Sequence, residues 1–466
     1  MYIPQKNKNY NLINKIKIFI IKLRTNLIFY LIIKSKFFKR IYLTRLINIY
    51  NPKLHDFDSN KKTLVMIWEE RFKYLKYKLY QDKKLNLIIV PRIFFTPGFT
   101  FFLRKYINKQ KEISLGEYNL DYYRSKYFLN ARKNFRKYCY DINNLINSFV
   151  NIDMVLMPKC NDNWTIDYIK VINDSKIKLI IDDREGTITT QRLKTVPEKL
   201  KNLELKFVLM TTHNSFHKSL FVESGFPSSK IKVNGATQSD YWTKPKFWKN
   251  LNEIDENLDK DLLKILFFSF GKRTYMNFYY GEETRTWLPL IKDVNDVLID
   301  ILDKFSGEIQ ILYKFSGKLK RDTSEDISRL IKSSHKHIKN KSLIFLDGSK
   351  SSFDLIRHCQ AVLGFQTSGM IEAMNTNKPI IYAGWGDLYK DIKDTLLPLE
   401  DSNCLTICKS KDELYLSLCN LIKNYGNINS QNNQAESRAK FIDKYFANSN
   451  GSVSDRLAKM IYEKIE

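Results

Sequence analysis

An α/β chain with two doubly wound, Rossmann-like domains facing a cleft is what this sequence predicts, and three observations carry the expectation. Short apolar runs alternate with helical spans, as parallel strands joined by crossover helices do. The series runs twice, interrupted by the polar, charged stretch 244–260. A length of 466 residues exceeds what one ordinary core organises.

Residues 1–60 read as a basic helical extension. The first 55 contain twelve Lys or Arg and no Asp or Glu, mixed with apolar clusters such as Ile18–Ile21 and Leu27–Ile33. Lys22, Arg24 and Lys34 cut those clusters short of the roughly 20 apolar residues that a spanning helix needs. Two readings stay open: a helix lying on an anionic leaflet, at about 1 kcal/mol per near-surface cation, or helices packed on the next domain with snorkelling lysines. Residues 61–245 form the first domain, with strands expected at Thr63–Ile67, Leu85–Val90, Met154–Met157, Lys178–Ile181, Phe207–Met210 and Ile231–Val233. Residues 246–430 repeat the pattern, with strands at Ile265–Phe268, Ile309–Tyr313, Leu343–Leu346, Ala361–Gly364 and Pro379–Ala383. Residues 431–466 read as closing helices.

A formal net charge of +27 and a pI near 9.5 imply an acidic partner: nucleic acid, an anionic membrane surface or a phosphorylated ligand. No recognisable nucleic-acid module appears, and the basic excess is densest where no aromatic platform stands, which sets a nucleic-acid-binding protein behind the other readings. Six cysteines are scattered without a C-x-x-C pair, and no cleavable signal opens the chain. A reducing cytoplasm with buried, inert thiols is the expectation.

In open parallel sheets, ligands bind beyond the carboxyl ends of the strands, so the residues after each run are the candidates. In the second domain these are Gly271, Lys272 and Arg273, then Lys314, then the turn Gln366, Thr367, Ser368, Gly369 with Glu372 just beyond. The stretch 364–387 reads as strand, polar turn, helix and strand, with helix from Met370 and Glu372 in its first turn. Cations, hydroxyls and free N–H groups along one rim suit a diphosphate. Taken singly, each is an ordinary turn or cap residue, and Glu372 has the helix dipole as sufficient reason; their recurrence at successive strand ends favours a nucleotide. Neither G-x-x-x-x-G-K-[ST] nor G-x-G-x-x-G is present, which argues against a P-loop nucleotidase or an ordinary dehydrogenase. In the first domain, Asp182, Asp183, Arg184 and Glu185 follow a strand. Glu185 is the leading candidate for a general base, with Asp183 beside it and His213 as a second candidate base; a solvated acidic turn is the bland alternative.

These residues resemble a family. The segment Gln366, Gly369, Glu372, Ala373, Lys378 and Tyr382-Ala383-Gly384-Trp385-Gly386 is similar to the donor-site segment of capsule-initiating Kdo transferases, which ends in Tyr-Ala-Gly-Trp-Gly. Asp183-Arg184-Glu185-Gly186 resembles the Asp-x-Glu-Gly element of surface-carbohydrate biosynthesis proteins. Gly235–Asp240 stands where they carry a Gly-Asn-Pro-x-x-Asp turn, and Phe441-Ile442-Asp443 with Gly451, Asp455 and Arg456 looks like their closing helix. The resemblance implies a GT-B glycosyltransferase of bacterial capsule or surface-polysaccharide assembly, cytoplasmic and peripheral at the inner membrane. Its partners would be a nucleotide-sugar donor bound in the second domain and a glycan or lipid-linked acceptor held by the first. It implies donor phosphate on Lys272, Arg273 and the 366–369 turn, and Glu372 on ribose or sugar hydroxyls. No D-x-D stands at a strand end, so neither a metal nor a cofactor beyond the co-substrate is expected. The sequence departs at Lys314-Phe315-Ser316-Gly317, where related capsule and glycerophosphate transferases carry Arg/Lys-x-His-Pro. A CDP-alditol-type polyol-phosphate transferase, which needs the same cationic rim, is the enzymatic alternative, and the loss of the His-Pro turn speaks against it.

Overall fold

The computed structural model describes residues 35–52, 57–107, 128–183, 197, 200–201, 203–271, 286–315, 324–425, 434–447 and 450–466. Two parallel sheets of six strands organise them. The first contains β1 (Thr63–Ile67), β2 (Asn86–Val90), β3 (Met154–Met157), β4 (Lys178–Asp182), β5 (Leu209–Thr212) and β6 (Ile231–Val233), in the order β2-β1-β3-β4-β5-β6. The second contains β7 (Leu263–Phe268), β8 (Ile309–Lys314), β9 (Leu343–Leu346), β10 (Ala361–Gly364), β11 (Ile380–Ala383) and β12 (Thr406–Cys408), in the order β12-β11-β10-β7-β8-β9. Counted from its own first strand, the second sheet has the doubly wound 3-2-1-4-5-6 order.

The strands are near-continuous apolar runs because both faces of each sheet are covered. In β1, Val65 and Ile67 enter one core and Leu64 and Met66 the other. Helix Leu129–Asn147 covers the first face through Phe135, Tyr138 and Ile142. Helix Lys36–Tyr50 joins it, burying Leu43 and Ile47 while Phe37, Ile41 and Ile49 stay exposed. Residues 1–34, where much of the basic extension lies, are outside the described residues. Among those described, no helix is long and apolar enough to cross a membrane. All six cysteines are free and buried.

The last two helices divide between the cores. Ala435–Phe446 places Phe441, Tyr445 and Phe446 in the second core, whereas Val453–Ile465 places Leu457, Ala458, Ile461 and Ile465 on the second face of the first sheet. The crossing is pinned. Val453 N and Ser454 N donate to the Asp240 carboxylate at 2.9 and 2.8 Å, so this acid caps the final helix. Arg456 donates to the Asn234 side chain and carbonyl at 3.2 and 2.8 Å. Gly235, at φ +94°, lies so close that an added Cβ would meet the Ala447 carbonyl oxygen at 2.0 Å. The 235–240 turn and the 451–456 segment are thus two halves of one joint.

Strand limits differ from expectation by one or two residues at several ends, and one strand was not expected. β5 runs two residues further, through Thr211 and Thr212, because hydroxyls buried at the sheet end break the apolar period without breaking the strand. β8 includes Lys314 as its final residue. β12 is a three-residue edge strand, too short to show a period.

Candidate active site

The register of the second sheet sets four residues in a row at its carboxyl end: Gly364 opposite Phe268, Phe268 opposite Lys314, and Lys314 opposite Leu346. Adjacent strands β7 and β10 lead their following chain in opposite directions across the sheet, to β8 and to β11, which makes the gap between them the topological switch point. Ser269 follows β7 and donates its N–H to the Lys314 carbonyl at 3.0 Å. Its hydroxyl oxygen is buried without a hydrogen-bond partner among the described residues.

Glu372 belongs to the same rim. Helix Ser368–Ala373 starts two residues before the expected Met370, which puts Glu372 near its end. The expected first-turn position, and with it complementation of the helix dipole, is therefore corrected: Thr367, as N-cap, advances the start. Burial pushes the Glu372 carboxyl up to about 8, and the nearby Lys314 charge opposes that shift only in part. Burial in turn lowers Lys314, against the pull of Glu372 and Asp347. Glu372 Oε2 is buried and makes no hydrogen bond among the described residues. A buried carboxyl, a buried ammonium and an unbonded hydroxyl at a switch point form a set that a polyol or phosphate ligand would complete.

Other expected ligand residues have internal work. Gln366 is buried and saturated: its Nε2 donates to the Tyr382 hydroxyl at 2.9 Å and the Leu397 carbonyl at 3.1 Å, and its Oε1 accepts from Leu397 N at 2.7 Å. Its side chain ties β11 to the segment beyond it, so its amide is already engaged within the protein. Thr367 Oγ1 accepts from Gly369 N at 3.2 Å. Gly369 admits the Phe268 ring, whose Cζ an added Cβ would meet at 2.7 Å. Ser368 remains half-buried and Gly271 half-buried. Trp385, from the Tyr-Ala-Gly-Trp-Gly segment, donates Nε1 to Asp293 at 3.1 Å. Lys272 and Arg273 lie outside the described residues.

On the first sheet, β4 and β5 end in a polar cluster. Asp183 is fully buried, donates its N–H to the Thr211 carbonyl at 2.9 Å, and sets Oδ1 3.3 Å from His217 Nε2. Cys160 Sγ lies 4.0 Å from its Oδ2. His213 is buried with its ring centroid 6.3 Å from that of His217 and 6.0 Å from that of Phe446. Since Phe446 belongs to the second core, this end of the first sheet abuts the second domain. His217 was missed by sequence reasoning; its signal is the four-residue step from His213 across an Asn214 N-cap, whose side chain accepts from His217 N at 2.7 Å. Glu185 and Arg184 lie outside the described residues. Among the described residues no group of three His, Cys, Asp or Glu converges as a metal site.

Two doubly wound parallel sheets, each ending in a polar set, define a GT-B architecture. The chain is similar in structure to the S. aureus MnaA–UDP co-structure, at 14% identity and a TM-score of 0.53, over 87% of this chain and 98% of that one. It is similar also to a putative UDP-N-acetylglucosamine 2-epimerase from Listeria monocytogenes, at 14% identity and a TM-score of 0.51, over 87% and 97% of the two chains. The Methanocaldococcus jannaschii UDP-GlcNAc 2-epimerase in complex with UDP-GlcNAc and UDP aligns at 13% identity and a TM-score of 0.50, over 86% and 99%. At such identities the likeness is one of fold. No protein-family model and no curated protein sequence matches the chain.

Proposed function

We propose that this chain is a glycosyltransferase that moves a sugar from a nucleotide-activated donor to a surface-polysaccharide or glycolipid acceptor. The observation that carries the reading is the Glu372–Lys314–Ser269 set at the switch point between β7 and β10, with the Glu372 Oε2 and Ser269 hydroxyl unbonded among the described residues. In this reading, Glu372 and Ser269 bond donor hydroxyls, and Lys314, with Lys272 and Arg273, stabilises the leaving phosphate, a fixed-charge contribution of the kind that dominates many enzymes. The acceptor oxygen attacks the anomeric carbon, the bond to the donor phosphate breaks, and the acceptor proton passes to a base on the opposite wall. Glu185 takes that role in this reading. Helix Lys36–Tyr50 would rest on an anionic leaflet through Phe37, Ile41 and Ile49 with Arg40 and Arg45.

A second reading is a sugar-nucleotide 2-epimerase. The solved structures of this fold that carry that name favour it. One experiment separates the two: a panel of UDP-, CMP-, CDP- and GDP-linked substrates is first screened for thermal stabilisation, then followed for product. A ligand at about a hundred times its dissociation constant adds ~2.7 kcal/mol of stability. Acceptor-dependent release of free nucleotide supports transfer. Acceptor-independent appearance of the 2-epimer of an intact UDP-sugar overturns it in favour of epimerisation.

A further inference from the structure

A cavity of about 920 Å³ lies at the opposite end of the second sheet from the rim. Lys260 and Lys264 flank the start of β7 there, Gln360 precedes β10, and Lys378 precedes β11 by two residues. Strands of four to six residues separate it from the Glu372 rim, roughly 13 to 20 Å at ~3.3 Å per residue.

Among the described residues, five basic side chains line this cavity, Lys260, Lys264, Arg357, His358 and Lys378, and no carboxylate does. Most of them bond to backbone oxygens. Lys378 Nζ donates to the carbonyls of Ile356 and Arg357 at 2.8 and 2.7 Å, and to that of Cys359, closing the end of helix Ser352–His358. Lys264 Nζ donates to the Leu262 carbonyl at 2.6 Å. Arg357 Nη2 donates to the Lys249 carbonyl, and His358 Nε2 stands 2.8 Å from the same oxygen. These partners are neutral, so they satisfy hydrogen bonds without cancelling charge. Arg357 acts unfavourably on the charged forms of both His358 and Lys378. Asp259 and Asp261, which act on Lys264, and Asp354, which acts on His358, stand outside the lining. Arg357 Nε is buried and makes no hydrogen bond among the described residues. A concave wall of partly desolvated cations with neutral hydrogen-bond partners lacks an anion. Tyr425, Leu251 and Pro379 add an apolar side.

We propose that this cavity binds a small phosphate-class anion, at a site separate from the Glu372 rim. The inference is independent of the glycosyltransferase reading. An anion bound there would share Arg357 and His358 with the Lys249 carbonyl, in the segment that joins the two sheets. Arg357 also lies 4.9 Å over the Trp248 ring, and the Tyr241 hydroxyl donates to Asp354 on the same helix.

The test is calorimetric titration of the full chain carrying Lys314→Gln, which weakens the rim, with pyrophosphate, inorganic phosphate and UMP as probes. Saturable binding of one pyrophosphate is expected to persist. Adding Lys260→Glu, at an exposed position, should weaken it by about tenfold or more, because a charge of the lining is reversed. Arg357→Gln should do the same in a protein that still melts cooperatively. UMP binding tighter than phosphate and lost in Tyr425→Ala would make the ligand a nucleotide; equal binding would make it a free phosphate. Absence of saturable binding at millimolar probe, or an affinity unchanged by both Lys260→Glu and Arg357→Gln, overturns the proposal.

Discussion

Asp183 Oδ1 lies 3.3 Å from His217 Nε2, with both side chains buried at the carboxyl end of the first sheet. A carboxylate so placed holds the imidazole ring in one orientation. Asp183→Asn should lower turnover by about 10² to 10⁴, with little effect on donor affinity. Unchanged turnover, with loss only of thermal stability, would assign the pair to packing.

Glu372 has the opposite problem, a carboxyl with too little positive charge around it. Its ordinary value of 4.5 is raised to about 8 in the fold. The folded state therefore holds a proton that the unfolded state releases, and stability falls as pH rises from the lower value through the higher one. In Glu372→Gln that slope should vanish, a difference on the order of 4 kcal/mol across the window. Denaturant melts at about pH 5 and about pH 9 measure it, and parallel curves for variant and wild type would show that Glu372 ionises freely. On the donor-binding reading, the same variant should also bind donor nucleotide at least about tenfold more weakly.

Gln366 makes three hydrogen bonds that end on Tyr382 and Leu397. Gln366→Leu leaves the Leu397 amide and carbonyl without those partners, and about 2 to 4 kcal/mol of stability should go with them. Chemical denaturation is the measurement. A loss confined to ligand affinity would return Gln366 to the binding site.

Gly369 and Phe268 touch across the junction of helix Ser368–Ala373 and β7. A methyl group at 369 enters the ring, with 2.7 to 3.0 Å to its nearest carbons. Gly369→Ala should cost about 1 to 3 kcal/mol, and Phe268→Leu in the same chain should recover part of that cost.

The exposed side of helix Lys36–Tyr50 offers a test of the membrane reading. Phe37 and Ile49 are 69% and 61% exposed, with Arg40 and Arg45 beside them. Flotation with vesicles containing phosphatidylglycerol should carry the protein, and Phe37→Glu with Ile49→Glu should release it. Equal flotation of the variant would place the membrane contact elsewhere or nowhere.

The alternation of apolar runs made most of both sheets readable from sequence, since strands buried on two faces admit little except Val, Ile, Leu and Phe. Thr211 and Thr212 hid the end of β5 because their hydroxyls suit a rim more than a core, and β12 was too short to show any period. Glu372 was legible as a candidate from its place after a strand, but its burial and the nearness of the Lys314 charge were not. They depend on a register between β7, β8 and β10 that links residues far apart in the chain. The internal bonds of Gln366 were hidden for a related reason: a polar residue at a strand end can serve a ligand or a neighbouring segment, and its partner Leu397 stands 31 residues further on. His217 was overlooked beside His213 because its acidic neighbour, Asp183, comes from another strand.

The joint at Asp240 also orders events in time. Residues Leu457 to Ile465, which close one side of the first sheet, leave the ribosome after the whole second domain has been made. At about 5 to 20 residues per second, the amino-terminal half waits on the order of tens of seconds with the face of Leu64, Met66 and Leu156 only partly covered, by Phe72, Leu75 and Leu79. Chaperone demand during translation should accordingly peak in that interval, and a nascent chain stalled before Val453 should remain sensitive to protease within its first half.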